Sequence, residues 1–302
     1  MAEKYDVVAL GEYLVDFSPS GCGKMDNPLY EMNPGGAPTN CLAACSALGG
    51  KTAIIGAVGD DLFGAFLKRK AADANIDISG LQTVQTNTTL VFVSVDDPGA
   101  DTQIDAEKMD MSLIDNARYF HFGTLSLTDE PARSATICAV RYAKQRGVRI
   151  SFDPNYRAPL WKNETEAIKW MCWGLEQADL VKIAEEELQM LFGKDIDTGA
   201  KEALSFGVQE LYVTAGSRGA YFYSHSERCY DKGFSVEAVD TTGCGDAFTG
   251  AILYQNCRES GRSAAERLRF ANAVGALCAV RLGGMSSMPD MKLVAHMLEN
   301  GV

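Results

Sequence analysis

The stretch Val239-Asp240-Thr241-Thr242-Gly243-Cys244-Gly245-Asp246-Ala247-Phe248-Thr249-Gly250 constrains this chain most. A strand-like run, Phe234 to Val239, enters a cluster of small and polar residues, and an apolar helical pattern through Ala251, Ile252, Leu253 and Tyr254 leaves it. The pattern predicts a strand-loop-helix junction. Gly243 and Gly245 allow positive φ values that turn several N–H groups toward one point. The N-terminus of the following helix adds partial positive charge, so the junction suits an anion. Asp246 falls in the first turn of that helix. A carboxylate there repels a phosphate unless it faces an incoming hydroxyl, which suggests a base beside a phosphoryl group. Asp is equally at home as a local cap at a helix start, and a lone G-x-G-D does not separate the two.

A chain of 302 residues, 46% of them hydrophobic, can bury a large core. Its net charge of -12 and pI near 4.8 argue against a nucleic-acid or anionic-membrane surface. The nine cysteines form no C-x-x-C pair and no zinc spacing with the three histidines. Free thiols in a reducing cytoplasm are expected. The opening Met1-Ala2-Glu3-Lys4-Tyr5-Asp6 runs straight into a strand pattern, and no 18 consecutive residues are apolar, so a soluble, unprocessed protein is expected.

Strand and helix patterns alternate along nearly the whole length. Tyr5–Leu10, Thr52–Val58, Tyr119–Thr124, Val148–Phe152, Leu180–Ile183 and Glu210–Thr214 read as short buried strands. Helices are expected over Cys41–Leu48, from Gly59-Asp60-Asp61 to Asn75, and over Pro131–Gly147, Thr165–Ala178 and Ala264–Arg281. Together they imply an α/β fold with a doubly wound, mostly parallel central sheet flanked by helices. No repeat, low-complexity tract or linker divides it, so residues 1–302 are read as one domain. The alternating run Thr88–Val95 fits a small projecting sheet.

Polar residues gather at the strand ends, where such sheets bind ligands. Glu12 and Asp16 follow the first strand, and Asp16 suits a polyol hydroxyl or simply the surface. Asn33-Pro34-Gly35-Gly36-Ala37-Pro38-Thr39-Asn40 is a glycine-rich loop opening a helix of small residues; Asn40 offers a donor and an acceptor to a hydroxyl pair, or caps the loop. Asp153-Pro154-Asn155-Tyr156-Arg157 ends another strand, with Arg157 a phosphate clamp or a surface ion-pair partner. Lys182 precedes Glu185-Glu186-Glu187, a helix start of which one acid would face a site. Gly216-Ser217-Arg218-Gly219 suits a nucleotide or a plain hairpin. His121 reads as a satisfied core histidine. No G-x-x-x-x-G-K-[ST] is present, so a bound nucleotide would use the junction at Gly243 to Asp246.

Asn33–Asn40 resembles the N-terminal signature of the ribokinase-like, or pfkB, carbohydrate kinases, and Asp240–Phe248 resembles their C-terminal one. The two occur in the family's order and separation, and the resemblance spans essentially the full length. Gly11-Glu12 with Asp16, the Asp153-Pro154-Asn155-x-Arg157 segment and Val181-Lys182-Ile183-x-Glu185-Glu186-Glu187-Leu188 look most like fructokinases. The resemblance implies transfer of the γ-phosphoryl group of ATP to a primary hydroxyl of a monosaccharide, D-fructose first. Ribose, 2-keto-3-deoxygluconate or a nucleoside are alternatives within the family, and a non-catalytic sugar or nucleotide sensor is an alternative outside it.

By the same resemblance Asp246 is the base, and the N–H groups of Gly243, Cys244 and Gly245 form the anion hole. Asp16, Gly35, Gly36, Asn40 and Arg157 hold the sugar, and Lys182, Thr214, Gly216, Gly219 and Asn272 line the ATP pocket. Glu187 lies near the water shell of Mg2+, and a monovalent cation, K+, rests near Asp240, Thr242 and the Ala279–Ser287 loop. A small β lid is expected around residues 12–34 and 86–104, and a homodimer is allowed. Two departures stand out: Ala184 replaces the family's usual Asn, and the segment Asp96-Asp97-Pro98-Gly99-Ala100-Asp101 follows where more lid strand is usual, so the lid reads as shortened.

Overall fold

The chain's short apolar runs become strands that are buried on both faces. The computed structural model describes residues 4–22, 28–92, 95–96, 99–259 and 261–301. Its strands are β1 (Tyr5–Leu10), β2 (Leu14–Cys22), β3 (Pro28–Gly35), β4 (Thr52–Gly59), β5 (Ile76–Val84), β6 (Leu90–Phe92), β7 (Val95–Asp96), β8 (Ala117–Gly123), β9 (Arg149–Asp153), β10 (Leu180–Ala184), β11 (Glu210–Thr214), β12 (Ala220–Tyr223) and β13 (Arg228–Asp231). The helices are α1 (Ala37–Ala47), α2 (Leu62–Asp73), α3 (Ser112–Asp115), α4 (Ala132–Gln145), α5 (Glu164–Gln177), α6 (Glu185–Phe192), α7 (Ile196–Ser205), α8 (Cys244–Arg258), α9 (Ala264–Ala279) and α10 (Met291–Asn300).

Among the described residues the main sheet has nine strands in the order β13-β12-β11-β10-β9-β8-β1-β4-β5. From β11 to β5 every pairing is parallel, and β12 and β13 add an antiparallel edge. One layer, α1, α2, α8, α9 and α10, packs on one face, and α3 to α7 pack on the other. This is the doubly wound α/β architecture that the alternation predicted. A second, four-stranded sheet has the order β3-β2-β6-β7, with β6 and β7 only three and two residues long. No helix among the described residues is long and apolar enough to cross a membrane.

Two local readings differ, and the structure decides between the two acids expected to cap α2. Phe234–Val239 is not a strand. The Arg269 guanidinium stacks on Phe234 at 3.6 Å, and the N–H groups of Val239 and Asp240 both donate to Ala279 O instead of to the sheet. Arg228–Asp231 takes the sheet edge instead, pairing with β12. The strand expected from Thr88 starts at Leu90, because the Thr88 side chain and N–H both bond Asp61; positions 93 and 94 lie outside the described residues, as do 97 and 98 of the segment read as a shortened lid. Asp61, rather than Asp60, caps α2 by accepting from Gly64 N at 2.7 Å. The helix α6 begins at the three acids read as a helix start, whereas the strand β5 and the helices α7 and α10 carry no distinct signal in the sequence reading.

The end of β9 is fixed by aromatic packing. Phe152 is 0% exposed, its ring centroid lies 4.9 Å from that of Phe122, and Gly174 of α5 leaves space for the ring that a Cβ would take. The next residue, Asp153, is buried against Lys182, which lines the cleft. Phe152→Ala is expected to lower unfolding free energy by about 3–5 kcal/mol, read as a lower midpoint in urea denaturation; a loss below about 1 kcal/mol would mean that the cavity collapses.

Candidate active site

Parallel strands end on one edge of the sheet, and a cavity of about 760 Å³ opens there. Glu12 follows β1, Asp153 ends β9, Lys182 sits on β10, and α8 points its N-terminus into the same space. The glycine loop before α1 and the small sheet cover it from the other side, contributing Asp16, Gly36 and Asn40.

Asp246 is the centre of the arrangement. It is 7% exposed in the first turn of α8. Its Oδ2 accepts from Asn40 Nδ2 at 2.9 Å, and its Oδ1 accepts from Asn155 Nδ2 at 2.9 Å. It is therefore no cap for its own helix: its side chain faces away from the backbone N–H groups and toward two amides from other elements. Burial, then the nearby Asp153, raise its pKa to about 6, against the opposing pull of Asn40 and Lys182. A carboxylate with that value is still ionised at neutral pH and more basic than an exposed Asp.

Lys182 stands across the cavity floor, 6% exposed. Its Nζ lies 3.2 Å from Asp153 Oδ2, and Thr249 Oγ1 donates to the same oxygen at 3.3 Å. Burial alone would lower the Lys182 pKa, but Asp153, Glu187 and Asp246 raise it, so the ammonium is retained. A Cβ on Gly245 would stand 2.8 Å from Nζ, which brings the lysine against the N-terminus of α8. Gly243 adopts φ 80°, the left-handed turn foreseen for the anion loop, whereas Gly245, expected to share it, already lies in the helical backbone of α8.

The carboxylates of the acceptor end are shifted upward. Burial raises Glu12 to about 8, and its Oε1 accepts from Ala37 N at 2.8 Å. Burial raises Asp16 to about 6 despite the facing Arg157. Asp101 lines the same end from the turn after β7. Asn33 and Gly35 pair with Asp16 and Leu14 between β3 and β2, and Gly35 leaves no room for a Cβ beside the Asp16 carboxylate.

Other expected site residues take different places. The Cys244 N–H donates to Thr241 O at 3.2 Å, so it turns the loop, whereas Gly243 and Gly245 line the cavity. The Cys244 thiol donates to Asp240 O at 4.0 Å, behind the loop. The Asp240 carboxylate accepts from Thr242 N at 2.9 Å and Gly283 N at 3.0 Å, tying the loop to the end of α9, and Thr242 lines the cavity. Both Glu187 oxygens accept backbone N–H groups, from Tyr156 at 2.7 Å and Ala184 at 2.8 Å, with the residue at the cavity wall. It thereby holds the β10 end in place without the Asn usual at position 184.

The residues expected to line a nucleotide pocket are less assembled. Thr214 ends β11, Gly216 and Gly219 bound the turn into β12, and none of them lines the cavity. Asn272 donates to Asp231 Oδ1 at 2.7 Å, and the same carboxylate receives Arg269, so this amide anchors the β13 end. His121 is a core histidine bonded to Ser151 Oγ at 3.0 Å, with its pKa lowered to about 4 by burial. Asn155 was read only as part of the polar cluster after the strand and given no role of its own, because a donor and a turn former look alike in sequence.

The family model described as pfkB family carbohydrate kinase matches residues 4–291. Fructokinase-1 of Zea mays is 35% identical over 314 residues, covering 97% of this chain and 97% of its own. The fructokinase of Vibrio cholerae O395, solved with fructose, ADP and calcium ion bound, superposes with a TM-score of 0.88 at 30% identity, covering 97% of this chain and 98% of its own. The fructokinase of Xylella fastidiosa with bound ATP has a TM-score of 0.86 at 28% identity, with 98% of each chain covered. With both loops meeting at one buried carboxylate and relatives aligned from end to end, this chain belongs to the pfkB family of carbohydrate kinases.

Proposed function

We propose that the chain transfers the γ-phosphoryl group of ATP to the 6-hydroxyl of D-fructose. The observation that carries the reading is Asp246, buried, ionised at neutral pH and set beside the N-terminus of α8 and the Lys182 ammonium. Full-length relatives named fructokinase support fructose over ribose, 2-keto-3-deoxygluconate or a nucleoside.

Asp246 takes the proton from the acceptor hydroxyl as its oxygen attacks the γ-phosphorus, and the bond from phosphorus to the leaving ADP oxygen breaks. The amides of Gly243 and Gly245 and the ammonium of Lys182 face the charge on the transferring group. Asp16 accepts from sugar hydroxyls, and Arg157 closes the acceptor end. The small four-stranded sheet acts as the lid over the sugar. Among the described residues no three His, Cys, Asp or Glu side chains cluster to hold a metal. A wall carboxylate such as Glu187, already bonded to two amides, fits a divalent ion that keeps its water and phosphate ligands. Bound there, the ion would shield phosphate charge; K+ would rest by Asp240 and Thr242, whose oxygens suit a hard cation.

Coupled ADP release with Mg-ATP and K+ over a panel of hexoses, pentoses, 2-keto-3-deoxygluconate and nucleosides tests the function. Fructose should give the highest kcat/KM, and no turnover on the whole panel would end the kinase reading. Asp246→Asn should cut kcat by about 10²–10⁴-fold while ATP still binds; unchanged turnover would leave the chain a sensor at most. Since the base must be ionised, kcat should be full above pH 7 and fall as the pH drops through about 6. Asp16→Ala should raise the fructose KM about tenfold or more, leaving the ATP KM in place, as expected for one lost hydrogen bond to a charged group.

A further inference from the structure

A carboxylate on Asp can spin about its Cβ–Cγ bond, so a single donor fixes one oxygen and leaves the other free. Asp246 has a donor on each oxygen, and the two come from opposite walls of the cleft. Asn40 belongs to α1, and Asn155 to the loop after β9. We infer that Asn155 is a positioning residue for the phosphoryl-transfer reaction, holding the plane of the Asp246 carboxylate so that its remaining lone pairs face the acceptor hydroxyl.

The loop that carries Asn155 is built to aim it. Asn155 sits at φ 47°, a left-handed conformation that Asn tolerates better than most residues. Its neighbours are pinned on both sides: Pro154 O accepts the Thr124 N–H at 3.2 Å, and Tyr156 N donates to Glu187 Oε1 at 2.7 Å. The side chain is 8% exposed and its amide nitrogen is 2.9 Å from Asp246 Oδ1. A left-handed turn alone would be served as well by Gly; an amide aimed at the base requires Asn. The charged groups that bear on Asp246 are Asp153 and Lys182 from the sheet, Arg157 from the same loop as Asn155, and Glu12 after β1. Its charge also reaches the thiols of Cys41, Cys244 and Cys278. None of these donates to Oδ1, so no other group replaces Asn155.

The inference rests on the kinase reading, and two variants separate it from that reading. Asn155→Gly keeps the left-handed backbone without strain and removes only the amide. It should lower kcat about 100-fold, as for a misplaced reacting group, with the KM values for sugar and ATP within about threefold of wild type if binding is uniform. Losing a donor to the charged form should move the acid limb of kcat to higher pH. Asn155→Asp keeps the shape and tolerates the same φ, but sets a second carboxylate against the base. The pair would then share a proton and the limb should rise further.

The same shift can be read without turnover from the carboxyl carbon of Asp246 in protein labelled with 13C-aspartate, and thermal midpoints check that each variant is folded. Wild-type kcat together with an unmoved limb in Asn155→Gly would overturn the assignment. A raised sugar KM with unchanged kcat would also overturn it, making Asn155 a sugar ligand. Neither result would touch the kinase reading, which stands on wild-type turnover and Asp246→Asn.

Discussion

The site depends on how closely α1 and α8 cross. A Cβ on Gly250 would stand 2.8 Å from the Ala44 Cβ and closer still to Cys41 O, so only glycine lets the two backbones come this near. Gly250 is one turn along α8 from Asp246, and Cys41 follows Asn40 directly, so the crossing point lies beneath both functional residues. Side chains 206 positions apart in sequence thereby meet at 2.9 Å. Ala43, Ala44 and Cys45 on α1 and Ala247 and Ala251 on α8 are all buried, and their small size maintains the contact along both helices. A bulkier seam would push the glycine loop away from the base without altering either residue.

A second constraint is electrostatic. The Lys182–Asp153 pair is buried, and removing one partner of such a pair costs about 3–5 kcal/mol because the other charge is left without compensation. The two residues stand on adjacent parallel strands, β10 and β9, whose ends lie together at the binding edge. The pair thus sets a retained ammonium beside the N-terminus of α8 and supplies the negative neighbour that keeps Asp246 basic. Glu187, by receiving N–H groups from the β9 and β10 ends, locks the same two strands into that register.

Much of this was legible in the chain. The buried parallel strands announce themselves as apolar runs, and the small residues of α1 already signal close packing. The junction at Gly243 is read correctly as a left-handed turn feeding a helix, with Asp246 inside it. What precedes it is misread, because Phe234 and Val236 look like a strand but spend their surface on Arg269 and the α9 layer. Asn272 is a polar residue on a predicted helix near the nucleotide end, yet its partner Asp231 lies on β13, a strand whose short half-exposed pattern gives no signal. Asn155 was visible as a residue but not as a partner of Asp246, because a hydrogen bond between a loop and a helix 91 residues apart has no imprint on local sequence.

Glu12 changes how the acidity of the pocket should be counted. With its pKa near 8, most Glu12 side chains carry a proton at pH 7, and the residue enters the site as a neutral carboxylic acid. Its Oε1 accepts the Ala37 N–H, which leaves the other oxygen to bear the hydrogen. The cleft therefore pairs one hydroxyl-like donor with the ionised acceptors Asp16 and Asp246, so a polyol can be met in both senses of the hydrogen bond. The local charge count falls as well: with Glu12 uncharged, the cavity lining sets five carboxylates, Asp16, Asp101, Asp129, Glu187 and Asp246, against three cations, Arg157, Lys162 and Lys182, a surplus of two negative charges instead of three.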